Sequence, residues 1–192
     1  TVTLTPSTGY YLSSISCTNG YTVTATTGTS ATAAQTITIK NNSKATNSTC
    51  TATMAKRSFT VTMSGGNASY SSNSFAVSYA GTNKVTITPS AGYYLSSISC
   101  SNGYTVTGAT TGANATGAQT VTINNNSKVA SSTCTVTMAA RSFTVTMSGS
   151  NVTFGATSLA VAYGGSKTVS LTPSTGHYLS SISCTNGYTV TA

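Results

Sequence analysis

The chain has 192 residues, of which eight are Lys or Arg, one is His and none is Asp or Glu, for a formal net charge of +8. An ordinary globular chain carries about 25% charged residues, roughly half of them acidic, so chance does not explain the zero: selection has removed the carboxylates, or acids stand in the sequence under other letters. Without carboxylates there is no glycosidase dyad, no Ser-His-Asp triad and no hard-oxygen cage for calcium or magnesium, which excludes most hydrolytic and phosphoryl-transfer chemistry and leads us to expect no enzyme and no cofactor.

Taken in chain order, the apolar pattern predicts strands and no helix of useful length. Strands are expected at 59–63, 75–79, 84–88, 94–100, 104–107, 120–123 and 134–138. Phe59-Thr60-Val61-Thr62-Met63, Thr120-Val121-Thr122-Ile123 and Cys134-Thr135-Val136-Thr137-Met138 alternate strictly, as half-buried antiparallel strands do. Asn102-Gly103 is expected to join 94–100 to 104–107 as a two-residue hairpin turn, repeated at Asn19-Gly20 and Asn186-Gly187. Many short strands between turns predict an all-β fold built of small, antiparallel sandwich-like modules.

The sequence repeats itself. The stretch from Thr5 to Cys17 returns as Thr88 to Cys100 and again as Thr172 to Cys184, at spacings of 83 and 84 residues. Arg57-Ser58-Phe59-Thr60-Val61-Thr62-Met63 returns as Arg141 to Met147. Residues 57–140 therefore form one complete repeat, preceded by the C-terminal part of a repeat at 1–56 and followed by the N-terminal part of another at 141–192. A period near 84 residues is the size of a small domain and too long for a solenoid coil.

A domain that small is marginally stable unless it is cross-linked. Cys17 and Cys50 lie 33 residues apart and Cys100 and Cys134 lie 34 apart, while Cys184 stands where its partner would fall beyond residue 192. Strand alternation points the sulfurs of Cys100 and Cys134 to the apolar face, so a buried disulfide is expected in each pair. An oxidising, extracellular setting follows.

The junction between repeats is short. Only Ala139-Ala140-Arg141 separates the strand ending at Met138 from the one beginning at Ser142, and Lys56-Arg57 occupies the equivalent place. So short a connection favours a fixed orientation between repeats, a semi-rigid rod and not a flexible tether. The part-repeats at the two ends admit a window on a longer repeat chain, or head-to-tail strand complementation between chains. In the second case residues 168–192, which duplicate 1–25, compete for the same place.

Phe59-Thr-Val-Thr-Met-Ser-Gly-Gly, Tyr79-Ala-Gly, Val85-Thr-Ile-Thr-Pro-Ser-Ala-Gly-Tyr93, Thr120-Val-Thr-Ile and Cys134-Thr-Val-Thr-Met resemble the divergent internalin-type B repeats of bacterial surface proteins. The resemblance implies tandem modules of large secreted or wall-associated chains that serve as stalks, adhesins or fibres, with no shared catalytic set. The cysteine pairs and the missing acids depart from that family's usual pattern.

Other candidate sites weigh less. His177 stands where Tyr10 and Tyr93 stand in the other copies, an exchange that suits exposed surface better than a metal ligand. The pairs Tyr10-Tyr11 and Tyr93-Tyr94 suit a core edge or an interface, or a sugar-stacking platform. Recurrent Thr-Val-Thr is ordinary strand vocabulary at this period, and the scattered cations form no recognised nucleic-acid module. Six Asn-x-Ser/Thr acceptors occur, at Asn41, Asn47, Asn67, Asn114, Asn125 and Asn151. No run of about 18 apolar residues suggests a membrane span. The leading expectation is a non-catalytic repeat protein of an extracellular filament, fibre or surface stalk that associates with itself. The alternative is an adhesin that binds a glycan or cell-surface polymer.

Overall fold

The computed structural model, which describes residues 1–191, is all-β. Residues 1–56 hold β1 (Val2–Leu4), β2 (Tyr10–Cys17), β3 (Thr22–Thr24), β4 (Gln35–Lys40) and β5 (Cys50–Lys56). The complete repeat holds β6 (Ser58–Ser64), β7 (Ala68–Tyr70), β8 (Ser74–Ser78), β9 (Thr82–Pro89), β10 (Tyr93–Cys100), β11 (Thr105–Thr107), β12 (Gln119–Asn124) and β13 (Ser132–Ala140). Beyond it lie β14 (Ser142–Thr146), β15 (Val152–Phe154), β16 (Ser158–Ala162) and β17 (Leu171–Pro173). By compactness the chain divides into one unit of Thr1–Ala139 and a second from Ala140 onward.

In the complete repeat the strands make two four-stranded sheets, ordered β10-β13-β6-β8 and β11-β12-β9-β7. The alternation in sequence decides which way each strand faces: Phe59, Val61 and Met63 of β6 are buried while Thr60 and Thr62 are exposed. Val61, Val77, Leu95 and Val136 from one sheet meet Val85, Ile87, Val121 and Ile123 from the other in a single core. Each such side chain contributes about 1.5–3 kcal/mol by burial, against about 1–2 kcal/mol for ordering each residue's backbone. The balance of a core this small is therefore close, and covalent cross-links matter.

Both expected cross-links are present. Cys17 and Cys50 face each other directly in the antiparallel β2–β5 pair and are bonded. Cys100 and Cys134 join the neighbouring strands β10 and β13, with Cys134 fully buried. Cys184 is a free, half-buried thiol. Two disulfides fit an oxidising environment.

Among the described residues the pairings are antiparallel, as expected, with one exception: β13 runs parallel to β6, Ser132 lying opposite Val61 and Thr135 opposite Ser64. The first and last strands of the repeat thus lie side by side and point the same way. Residues 136–139 run on past the end of β6, so at ~3.3 Å per residue the path from Ser58 to Ala139 advances on the order of 35 Å in one direction.

One expectation is corrected: Asn102-Gly103 is not a hairpin, since β10 and β11 belong to different sheets. Asn102 (φ 55°) and Gly103 (φ 74°) do form the left-handed turn that the dipeptide favours. Tyr104 then crosses into the core, 4% exposed, and its hydroxyl donates to Ala130 O at 2.9 Å. Burial of that ring outweighs continuation of the ladder.

The second unit has fewer paired strands, β14 with β16 and β15 with β17. Asn186-Gly187 again turns left-handed (φ 55° and 76°), but no strand flanks it. Phe143, Val145, Leu159, Val161 and Leu171 line a cavity of about 900 Å³ within this unit. The counterparts of Val145 and Val161 in the complete repeat, Val61 and Val77, are sealed in the core.

Candidate functional site at the inter-repeat junction

Arg57 is the single residue between β5 and β6, and its backbone is held from both sides. The Arg57 N–H donates to Gly9 O at 2.8 Å, and the Tyr79 N–H donates to Arg57 O at 2.8 Å. The loop before β2, the linker and the end of β8 are thus tied together. Residues 1–56 and the complete repeat meet here, inside one compact unit.

Side chains reinforce the tie. Gly9 takes φ 79°, and a Cβ there would lie 2.2 Å from the ring of Tyr79. Glycine is required twice, for the left-handed backbone and for the approach of the ring. Tyr10 meets Tyr79 edge to face, with ring centroids 6.0 Å apart and planes at 64°, a pairing worth about 0.5–1.5 kcal/mol beyond burial. Tyr10 also lies opposite Lys56 in the β2–β5 register.

The guanidinium of Arg57 sits 5.0 Å from the centroid of the Phe59 ring, and Phe59 is 7% exposed. In a chain with no acidic side chain, a cation's partners are carbonyls and aromatic faces, and a ring face attracts it by about 0.5–1 kcal/mol at such sites. Arg141 repeats the arrangement over Phe143 at 5.0 Å, and its carbonyl accepts from the Tyr163 N–H at 2.7 Å. Ala139 is half-buried, Ala140 and Arg141 are exposed, and Phe143 is 36% exposed where its counterpart Phe59 is buried.

The acceptor asparagines fall into two groups. Asn125 is 0% exposed; its Nδ2 donates to the Tyr104 hydroxyl at 2.7 Å and its Oδ1 accepts from the Lys128 N–H at 2.6 Å. Asn41 makes the same latch, donating to the Tyr21 hydroxyl at 2.8 Å and accepting from the Lys44 N–H. Asn47, Asn67, Asn114 and Asn151 are exposed. Burial raises the pKa of the Tyr104 hydroxyl, an effect that the Asn125 hydrogen bond partly opposes, and burial likewise raises that of Tyr70.

His177 is exposed, with Nδ1 3.1 Å from Thr175 O. Tyr10, Tyr11, Tyr93 and Tyr94 are half-buried along their strands. Among the described residues no group of three His, Cys, Asp or Glu is placed to hold a metal, no helix is long and apolar enough to cross a membrane, and no buried side-chain polar atom lacks a hydrogen bond. Sequence reasoning placed the junction at Lys56-Arg57 and singled out Tyr10, but missed Gly9 and Tyr79 and the contacts that join the three. The recurrence of Gly-Tyr at 9–10 and 92–93, and of Tyr at 79 and 163, is the signal that would have found them. No family model, curated protein or solved structure matches this chain.

Proposed function

We propose that this chain is a structural, non-catalytic repeat protein of an extracellular filament, fibre or surface stalk, built of tandem modules similar in kind to internalin-type B repeats. The observation that carries the reading is the one-residue junction at Arg57, hydrogen-bonded to the repeat before it and the repeat after it. A tether that lets domains reorient has no use for such fixation, whereas a load-bearing or length-setting element does. The parallel pairing of β6 with β13 supports it, because the chain enters a repeat at one end of a sheet and leaves at the other.

Self-association is the partner interaction this role calls for; binding of a glycan or cell-surface polymer is the competing one. The test is electron microscopy of the native material at neutral pH. Regular fibres with an axial period near 35 Å, or a small multiple of it, are expected from the strand rise. Monodisperse short particles, with saturable binding of one repeat to a glycan array, would overturn the filament reading in favour of an adhesin.

A further inference from the structure

We propose that Asn67 and Asn151 are N-glycosylated, so that the repeat carries one N-linked glycan at a fixed place, the turn between its first two strands. This does not depend on the filament reading. All six acceptor triplets look equivalent in sequence, and the structure separates them. In the folded protein an amide carries a sugar only if its nitrogen is accessible and not committed to a hydrogen bond the fold needs. At Asn41 and Asn125 the nitrogen is bonded to a tyrosine hydroxyl and the oxygen to a lysine N–H, and Asn125 is wholly buried; a glycan there requires the latch to open.

Asn67 and Asn151 are exposed and stand in the same left-handed turn, φ 58° and 57°. Their backbone carbonyls hold the turn in place, accepting from Ser90 and Ser174 at 2.8 and 2.9 Å. Their side-chain amides make no hydrogen bond among the described residues. The preceding residue is small in both copies, Gly66 or Ser150, and nothing lies within 4 Å of a Cβ built on Gly66.

The two copies also differ in an informative way. Asn67-Ala68-Ser69-Tyr70 becomes Asn151-Val152-Thr153-Phe154: three of four residues change, yet the asparagine and the hydroxyl two residues on are kept. Ser69 and Thr153 are both exposed, so core packing does not demand a hydroxyl there. By contrast the counterparts of Asn47 and Asn114 are Ser131 and Ser30, and those acceptors are not repeated.

In the reaction, Nδ2 bonds to the anomeric carbon of a sugar activated as a glycosyl diphosphate. The carbon–oxygen bond to the diphosphate breaks, the diphosphate leaves with the electron pair, and one amide proton passes to a base of the transferase.

Trypsin separates the candidates: peptide 58–84 holds Asn67, 142–167 holds Asn151, and 85–128 holds Asn114 and Asn125. Tandem mass spectrometry of the native protein should find hexose or N-acetylhexosamine mass on 58–84 and 142–167 in most copies, localised to the asparagine, with Asn125 bare. Unmodified 58–84 and 142–167, sugar localised to Ser or Thr in those peptides, or sugar on Asn41 or Asn125 would each overturn the proposal.

Discussion

Replacing Gly9 by alanine isolates what the junction contributes. The substitution places a non-glycine residue at φ 79° and sets its Cβ 2.2 Å from the Tyr79 ring, so two costs act together. The left-handed backbone alone costs about 1–2 kcal/mol. The ring must also move, which forfeits the Tyr10–Tyr79 contact at about 0.5–1.5 kcal/mol and disturbs the packing around it, for a total of roughly 2–4 kcal/mol. Gly28→Ala is the matched control, in the same unit at φ 96° with nothing within 4 Å of its Cβ; it pays the backbone cost only. At about 2–4 °C per kcal/mol for a unit of this size, calorimetry should show Gly28→Ala melting roughly 3 °C lower and Gly9→Ala roughly 8 °C lower. In a Tyr79→Ala background the excess should vanish, leaving Gly9→Ala no worse than Gly28→Ala. If the two glycine variants melt together, or the excess survives removal of the ring, the junction does not rest on this contact.

The pH profile should be one-sided. With no acidic side chain to protonate, the melting temperature should stay nearly constant from pH 2 to 8 by circular dichroism. Above about pH 10 it should fall, because Tyr104 and Tyr70 have raised pKa values: the unfolded chain loses those protons first, and stability that is complete below the unfolded pKa is lost as pH rises through the folded one. Tyr104→Phe strands the buried Asn125 amide and should cost about 1–3 kcal/mol in urea titration, whereas Tyr21→Phe, over an exposed Asn41, should cost less. Iodoacetamide should label only Cys184 without reductant; reducing Cys100–Cys134, whose sequence separation is 34, should remove about 3–4 kcal/mol in the chain-entropy model. Peptide mass spectra should show no acidic residue at any position, and a single Asp or Glu would undo the argument from their absence.

What was legible in the sequence was whatever a single strand encodes by itself. The strict alternation in β6 and β13 announces both the strands and the faces they bury, and the nearly equal spacing of the cysteines, 33 and 34 residues, announces the bridges. Pairing partners are encoded non-locally, and there the sequence was mute. Nothing in Ser132 to Thr135 says that these residues lie parallel to Val61 to Ser64, because the ladder uses backbone groups that every residue carries. Asn102-Gly103 gave its turn correctly and its topology wrongly. The dipeptide specifies two dihedral pairs, while the destination of Tyr104 is decided by the space between the sheets. Asn125 is the sharpest case: its acceptor triplet looks like the other five, yet its side chain is fully buried because a tyrosine hydroxyl and the backbone N–H of Lys128 satisfy it.

The latch and the junction answer the same physical demand. A fold without carboxylates cannot balance a lysine or arginine by pairing it with an acid, nor meet a buried donor with a charged acceptor. Here two of the cations lie over rings, Arg57 over Phe59 and Arg141 over Phe143, and the structural amides take hydroxyls and backbone groups. Every one of these contacts is neutral on at least one side, so neither salt nor acid weakens it much. Cohesion then rests on apolar burial, backbone ladders and sulfur bridges, none of which titrates below the thiol and phenol range. For a chain with no acidic side chain, that is a coherent solution. It also explains why the junction is made of glycine, tyrosine and backbone hydrogen bonds, where a more ordinary protein would use an ion pair.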